Sequence, residues 1–136
     1  MSAIEVVKRH FDAWNRHDAD AIVALFAEGG TYSNPMAGQD LTGQAISGFA
    51  QGVFTAFPDA SFEIVSIGDT GGGLVATQWL ARGANTGQSA DGSPPTGRPV
   101  TLPGASFTQV EGDQIRSERA YHDRQTMAEQ LGLKAK

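Results

Sequence analysis

The sequence contains no cysteine. That excludes a disulfide framework, a thiolate zinc site and a cysteine nucleophile together, and it fits a reducing compartment. Basic residues are also scarce. Ten Lys and Arg stand against 15 Asp and Glu, for a formal net charge of −5 and a pI near 5.0. Such a surface is a poor partner for nucleic acid and for anionic membranes. No run of 18 apolar residues occurs, and Met1-Ser2-Ala3-Ile4-Glu5 passes straight into an amphipathic pattern. Neither a membrane span nor a secretory leader is expected, and the default location is the cytoplasm. HExxH, a Gly-rich phosphate loop and GxSxG are all missing, so no metal site is expected. Gly71-Gly72-Gly73 reads as a turn between strands.

What remains is one domain of 136 residues, residues 1–136. A chain of this size buries about two-thirds of its unfolded surface and needs no covalent staple. Ile4, Val7, Phe11 and Trp14 recur at helical spacing and predict a helix over 3–17. His10 and His17 lie two turns apart, too far to chelate one metal, and read as flanking surface histidines. Asp18 is a plausible N-cap for a second helix over 19–27, ended by Gly29-Gly30. Thr31 to Asn34 is a short strand stopped by Pro35. A third helix is expected from about Gly43 to Phe57, where Pro58-Asp59 ends it.

The second half changes character. Residues 61–67, 74–84, 100–110 and 115–123 read as strands. Glu111-Gly112-Asp113 is a tight hairpin signal, and residues 86–99 form a long loop. A short helix closes the chain over 124–131, with Gly132 behind it. Segregated helices and strands predict an α+β fold: a curved antiparallel sheet wrapped on one side by the N-terminal helices, a cone open at one end. Its open end would hold a small molecule.

Alternation puts Ser117, Arg119, Tyr121 and Asp123 on one face of the last strand and Glu118, Ala120 and His122 on the other. Asp123 is the candidate acid/base, provided its carboxylate sits in an apolar cavity that raises its pKa. It equally suits a helix N-cap. Trp79, mid-strand, is either core or pocket wall.

Four segments resemble the SnoaL-like polyketide cyclases of the nuclear-transport-factor-2-like superfamily. They are Ala56-Phe57-Pro58-Asp59; Asn85-Thr86-Gly87 followed by Pro95-Thr96-Gly97-Arg98; Gly104; and Asp123 followed by a helix ending Gln130-Leu131-Gly132-Leu133. The resemblance implies a cone-shaped domain, usually a homodimer packed through the outer face of its sheet. It implies a cofactor-independent intramolecular aldol cyclisation of a polyketide ester, with Asp123 as the acid/base. The substrate-facing set is then Arg119, Tyr121, Gln109, Phe107, Asn85, Trp79 and Asn34. The chain departs from the family pattern at several of these. Asn34 stands where many relatives have His, and Asn85 falls within what they read as Thr-His-Thr-Gly. Arg119 replaces a common Trp, and Gln109 a position often basic. Arg119 beside Asp123 would hold that carboxyl ionised. Two alternatives stay open. One is a non-catalytic small-molecule-binding or dimerisation module. The other is a ketosteroid-isomerase-like or epoxide-hydrolase-like enzyme, which needs a second pocket carboxylate such as Asp40 or Glu63.

Overall fold

The computed structural model describes residues 1–133. Four helices and six strands follow in the order α1 (Ala3–Asn15), α2 (Ala19–Ala24), β1 (Phe26–Ser33), β2 (Leu41–Thr42), α3 (Gln44–Ala56), β3 (Ser61–Asp69), β4 (Leu74–Ala84), β5 (Pro99–Glu111), β6 (Gln114–His122) and α4 (Arg124–Gln130). The strands form one open sheet in the order β2-β1-β6-β5-β4-β3.

Local chemistry starts the helices where the sequence suggests. Ser2 and Glu5 form a capping box at the head of α1, so two free backbone N–H groups find partners. Asp18 caps α2 by accepting from the Ala21 N–H at 3.0 Å. Gly112, at φ 62°, makes the β5–β6 hairpin. α1 packs on β3, β4 and β5. Its Val6, Val7, Phe11 and Trp14 bury against Ile22, Ile46, Val75, Trp79 and Ile115. The core therefore lies between the helices and the inner face of the sheet.

Three expectations need correction. α2 ends at Ala24, and β1 begins at Phe26 and runs through Gly29-Gly30. These glycines do not cap a helix. A Cβ on Gly30 would stand 2.8 Å from the Ile115 carbonyl oxygen, so Gly30 lets β1 close on β6. Gly29, at φ 75°, lies within the irregular stretch between Phe26 and Thr31. The sheet is mixed, because β1 pairs with β6 in parallel. The third correction is His10, which is 1% exposed and belongs to the core. It lies three residues after Val7 and four before Trp14, on the apolar stripe itself.

Candidate active site

β6 carries the candidate acid/base region, and its two faces differ sharply. The cross-strand pairs Thr108–Glu118, Ser106–Ala120 and Gly104–His122 share one face. Trp79 lies opposite Gly104 on β4, and Tyr32 opposite Glu118 on β1. Glu118, Ala120, Ser106, Thr108, Trp79 and Tyr32 are all buried, so this is the inner face. The other face pairs Phe107 with Arg119 and Ala105 with Tyr121. Phe107 is 42% and Tyr121 52% exposed. The face expected to line the pocket is thus the outer face. Alternation grouped the side chains as observed, and the side turned to the helices is the one bearing His122.

Asp123 follows the strand and faces solvent. One of its oxygens accepts from the Gln125 N–H at 2.9 Å and the other from the Thr126 hydroxyl at 3.0 Å. The carboxyl lies below its ordinary range because of the Thr126 hydroxyl first, then the Gln125 and Thr126 backbone N–H groups. The expected influence of Arg119 is not among the causes. Asp123 is the N-cap of α4.

The inner face assembles a different constellation. The Asn34 carboxamide oxygen accepts the Met36 backbone N–H at 2.9 Å, an Asx turn formed at Asn34-Pro35. A backbone N–H can only donate, so the amide orientation is fixed. The Asn34 amide nitrogen then donates to the Tyr32 hydroxyl at 3.0 Å. His122 Nε2 lies 3.1 Å from the same Asn34 oxygen and must be the donor. The proton of neutral His122 therefore sits on Nε2, and Nδ1 keeps its lone pair. Nδ1 is enclosed and has no partner among the described residues. Burial first, and then the Arg124 charge, lower the His122 pKa below its ordinary value, against the opposing effect of Asp123. His122 is half-buried, edge-on to the Trp79 indole with ring centroids 6.4 Å apart.

Trp79 closes the inner wall. Its Nε1–H donates to Ser106 Oγ at 2.8 Å, and its ring covers Gly104 so closely that any Cβ there would run into it. Below, His10 Nε2 and Glu118 Oε1 lie 2.6 Å apart in the core. The Trp14 Nε1 contact to the same His10 nitrogen is longer, 3.2 Å. The Trp14 indole N–H donates to that nitrogen, and the Glu118 oxygen facing it has no aligned hydrogen-bond partner among the described residues. Beside Asn34 an open depression of about 290 Å³ is lined by Ser33, Pro35, Gly38, Asp40, Ala120 and Tyr121, among others.

The remaining sequence candidates lie elsewhere. Asn85 is buried, but its amide donates to the Ala56 and Gly87 carbonyls and its oxygen accepts the Thr96 N–H. It staples the ends of the 86–98 loop. Gln109, on the outer face, donates to the Gly72 carbonyl at 2.8 Å. Glu63 pairs with Arg82 at 2.9 Å on that same face. Asp40 stands at the depression. Of the expected set, the structure brings together Asn34 and Trp79 and separates Arg119, Tyr121, Phe107, Gln109, Asn85 and Asp123 from them. Sequence reasoning missed Tyr32, Ser106, Glu118, His10 and His122. For Ser106, Glu118 and His122 the signal was the alternation of β5, whose Val100, Leu102 and Val110 mark the buried face; for His10 it was its place on the apolar stripe of α1. No group of three or more metal-ligating side chains lies together among the described residues. No helix there is long and apolar enough to cross a membrane.

With this geometry established, the chain can be placed among known proteins. The family model described as the SnoaL-like domain matches residues 7–118, and the chain belongs to that family. Among solved structures it is similar to a candidate polyketide cyclase from Xanthomonas campestris pv. campestris. That similarity has 23% identity, covers 95% of this chain and 96% of that one, and has a TM-score of 0.84. It is similar to IdmH, a candidate polyketide cyclase from Streptomyces antibioticus, at 27% identity, 98% and 100% coverage and a TM-score of 0.78. A Catenulispora acidiphila protein with a ketosteroid-isomerase-like fold, in complex with trimethylamine, is 24% identical, with 96% and 94% coverage and a TM-score of 0.80. No curated protein matches the chain.

Proposed function

We propose that the protein is a cofactor-independent acid/base enzyme. It acts on a small, largely apolar, carbonyl-bearing molecule by intramolecular aldol cyclisation or isomerisation, with His122 rather than Asp123 moving the proton. The observation that carries this reading is the enclosed Nδ1 lone pair of His122, whose tautomer the Met36–Asn34–Tyr32 arrangement sets. A buried polar atom without a partner calls for one from outside the protein. The lowered His122 pKa keeps the ring neutral at pH 7, the state a general base needs.

In the proposed step Nδ1 takes a proton from the carbon next to a carbonyl. The electron pair of that C–H bond moves onto the carbonyl oxygen as an enolate. For cyclisation the enolate carbon attacks a second carbonyl of the same molecule, forming the new C–C bond. The resulting alkoxide recovers the proton from Nδ1–H, and His122 returns to its starting state. For isomerisation the proton returns at a different carbon. Trp79 and Tyr32 are aromatic walls for the substrate, and Asn34 orients the base. Trp79 is held over Gly104 by its bond to Ser106.

Exchange of the α-protons of a β-keto ester into D2O, followed by NMR, tests the assignment. His122→Gln is expected to slow exchange by about 100-fold or more, and Asp123→Asn to leave it within a few-fold. The reverse pattern would return the role to Asp123.

The same proposal includes a homodimer built on the outer face. Phe107 and Tyr121 are exposed there with ring centroids 6.1 Å apart; Ala76 lies opposite Phe107, and Ala105 and Gln78 share the row of Tyr121. The partner that fits is a second copy, as in the family. Phe107→Glu should then move the protein from dimer to monomer in sedimentation velocity, and a wild-type monomer at high micromolar concentration would remove this part of the reading.

A further inference from the structure

Deeper in the core than His122, the inner face carries polar atoms that the site does not use. Thr77 Oγ1, Thr108 Oγ1 and Glu118 Oε1 are buried without a hydrogen-bond partner among the described residues. They fall in one patch. Thr108 stands directly opposite Glu118 in the β5–β6 register. Thr77, on β4, stands opposite Ser106. Ser106 is the next inward-facing residue along β5, so Thr77 and Thr108 are diagonal neighbours. His10 covers the carboxyl from α1, with Nε2 2.6 Å from Glu118 Oε1. That nitrogen already accepts the Trp14 indole N–H, which leaves the oxygen unserved. Ser106, in the same patch, shows the contrast: its hydroxyl has the Trp79 N–H as a partner at 2.8 Å.

We infer that this patch is a binding site for an internal water molecule, held between the Thr108 hydroxyl and the Glu118 carboxylate with the Thr77 hydroxyl as its third partner. An unmade hydrogen bond at a buried group destabilises the fold, and interiors serve such groups with ordered water where protein partners are out of reach. The chemistry of the set selects water. A carboxylate oxygen only accepts, whereas each hydroxyl can donate and accept, so the occupant must do both. It must also be small. Thr77, Thr108 and Glu118 are between 0% and 4% exposed, and none of them lines the depression beside Asn34. Cβ atoms of directly opposite residues lie about 4.5–5.5 Å apart, a span that one water, about 2.8 Å from each oxygen, can join. The water donates to Glu118 and to Thr77 and accepts from Thr108, the roughly three bonds that a buried water usually makes. The site is separate from His122 and stands whether His122 or Asp123 moves the proton.

Two measurements on the full-length protein test it: a high-resolution crystal structure and 17O relaxation dispersion of water in solution. The crystal should show an ordered water within about 3.2 Å of Thr108 Oγ1 and Glu118 Oε1. Density with contacts near 2.4 Å would mark a bound cation instead, and density with no peak there would leave the patch dry. Either result overturns the inference. In solution a long-lived internal water gives a dispersion step, and Thr108→Val, which keeps the shape and deletes the hydroxyl, should remove it. The urea midpoint of that variant should fall, because the water loses a partner. A hydroxyl that merely lacks a partner predicts the opposite sign, since valine then removes an unpaired polar group and the midpoint rises. An unchanged dispersion step or a raised midpoint therefore overturns the inference. If Thr108→Val does not fold, Thr77→Val is read by the same two signs.

Discussion

The two faces of β6 have nearly the same composition and opposite roles. Ser117, Arg119 and Tyr121 look outward; Glu118, Ala120 and His122 look inward. Each face carries an ionisable group and an aromatic ring. On the outer face these groups are solvated, and Arg119 forms no ion pair among the described residues. On the inner face every polar group is tied to another element: Glu118 to α1 through His10, and His122 to the end of β1 through Asn34. Charge in solvent tolerates change, whereas enclosed charge depends on its partners.

The largest test of that contrast lies one residue apart. Glu118→Ala takes the carboxyl from beside His10 inside the core and should cost about 3–5 kcal/mol, the usual penalty for breaking a buried pair. Arg119→Ala should stay within about 0.5 kcal/mol. Urea denaturation of both variants measures the gap, and equal effects would erase the distinction between the faces.

Gly104 gives the next effect in size. It lies under the Trp79 indole, with no room for a Cβ. Gly104→Val should overpack the wall, displace Trp79 from Ser106 and cost about 1–3 kcal/mol. Trp fluorescence should change along with the urea midpoint. Ala105→Val, next along β5 on the outer face, should do neither.

These positions also show how far the sequence could be read. The helices over α1 and α3, the β5–β6 hairpin and the last helix follow from periodicity, caps and turn residues, all local properties. Parity along β6 was legible too. Which parity faces inward was not, because β6 has no apolar face to choose by: Arg119 and Tyr121 alternate with Glu118 and His122. The answer lay in β5, where Val100, Leu102 and Val110 fall on the parity of Ser106 and Thr108. Placing those against Glu118 and Ala120 requires the hairpin register. The parallel β1–β6 pairing joins residues almost 90 positions apart, and no local pattern announces it. His10 was missed for a different reason. Histidine on an apolar stripe reads as a flanking residue until a buried carboxylate from another element is found beside it.

A subtler prediction separates His122 from the rest of β6 through pH. The folded protein binds a proton at His122 more weakly than the unfolded chain does, because burial lowers its pKa below 6.5. As pH falls through 6.5 the unfolded state takes up that proton first. The stability tied to neutral His122 is thus complete above about pH 6.5 and is lost as pH falls through the lower folded value. His122→Gln should flatten the stability profile in that window, measured by urea midpoints from pH 5 to 7.5. Tyr121→Phe, on the outer face, should leave the profile unchanged.

The smallest effect belongs to Asp123. Its pKa is lowered by hydrogen bonds from Thr126 and Gln125, so its contribution is present above the ordinary value of 3.8 and is lost as pH falls through the lower folded one. Asp123→Ala should fray α4, which has no fully buried residue of its own, and speed amide exchange over residues 124–130. Asp123→Asn should restore protection there, because Asn caps a helix as well as Asp. The Gln130 side chain, bonded to both backbone groups of Thr101, holds the far end of α4 on β5, so the fraying should start at the Asp123 end. If Asp123→Asn frays α4 as badly as Ala does, the carboxylate charge is needed there, and the plain cap that sets Asp123 apart from the inner-face groups would be too simple an account.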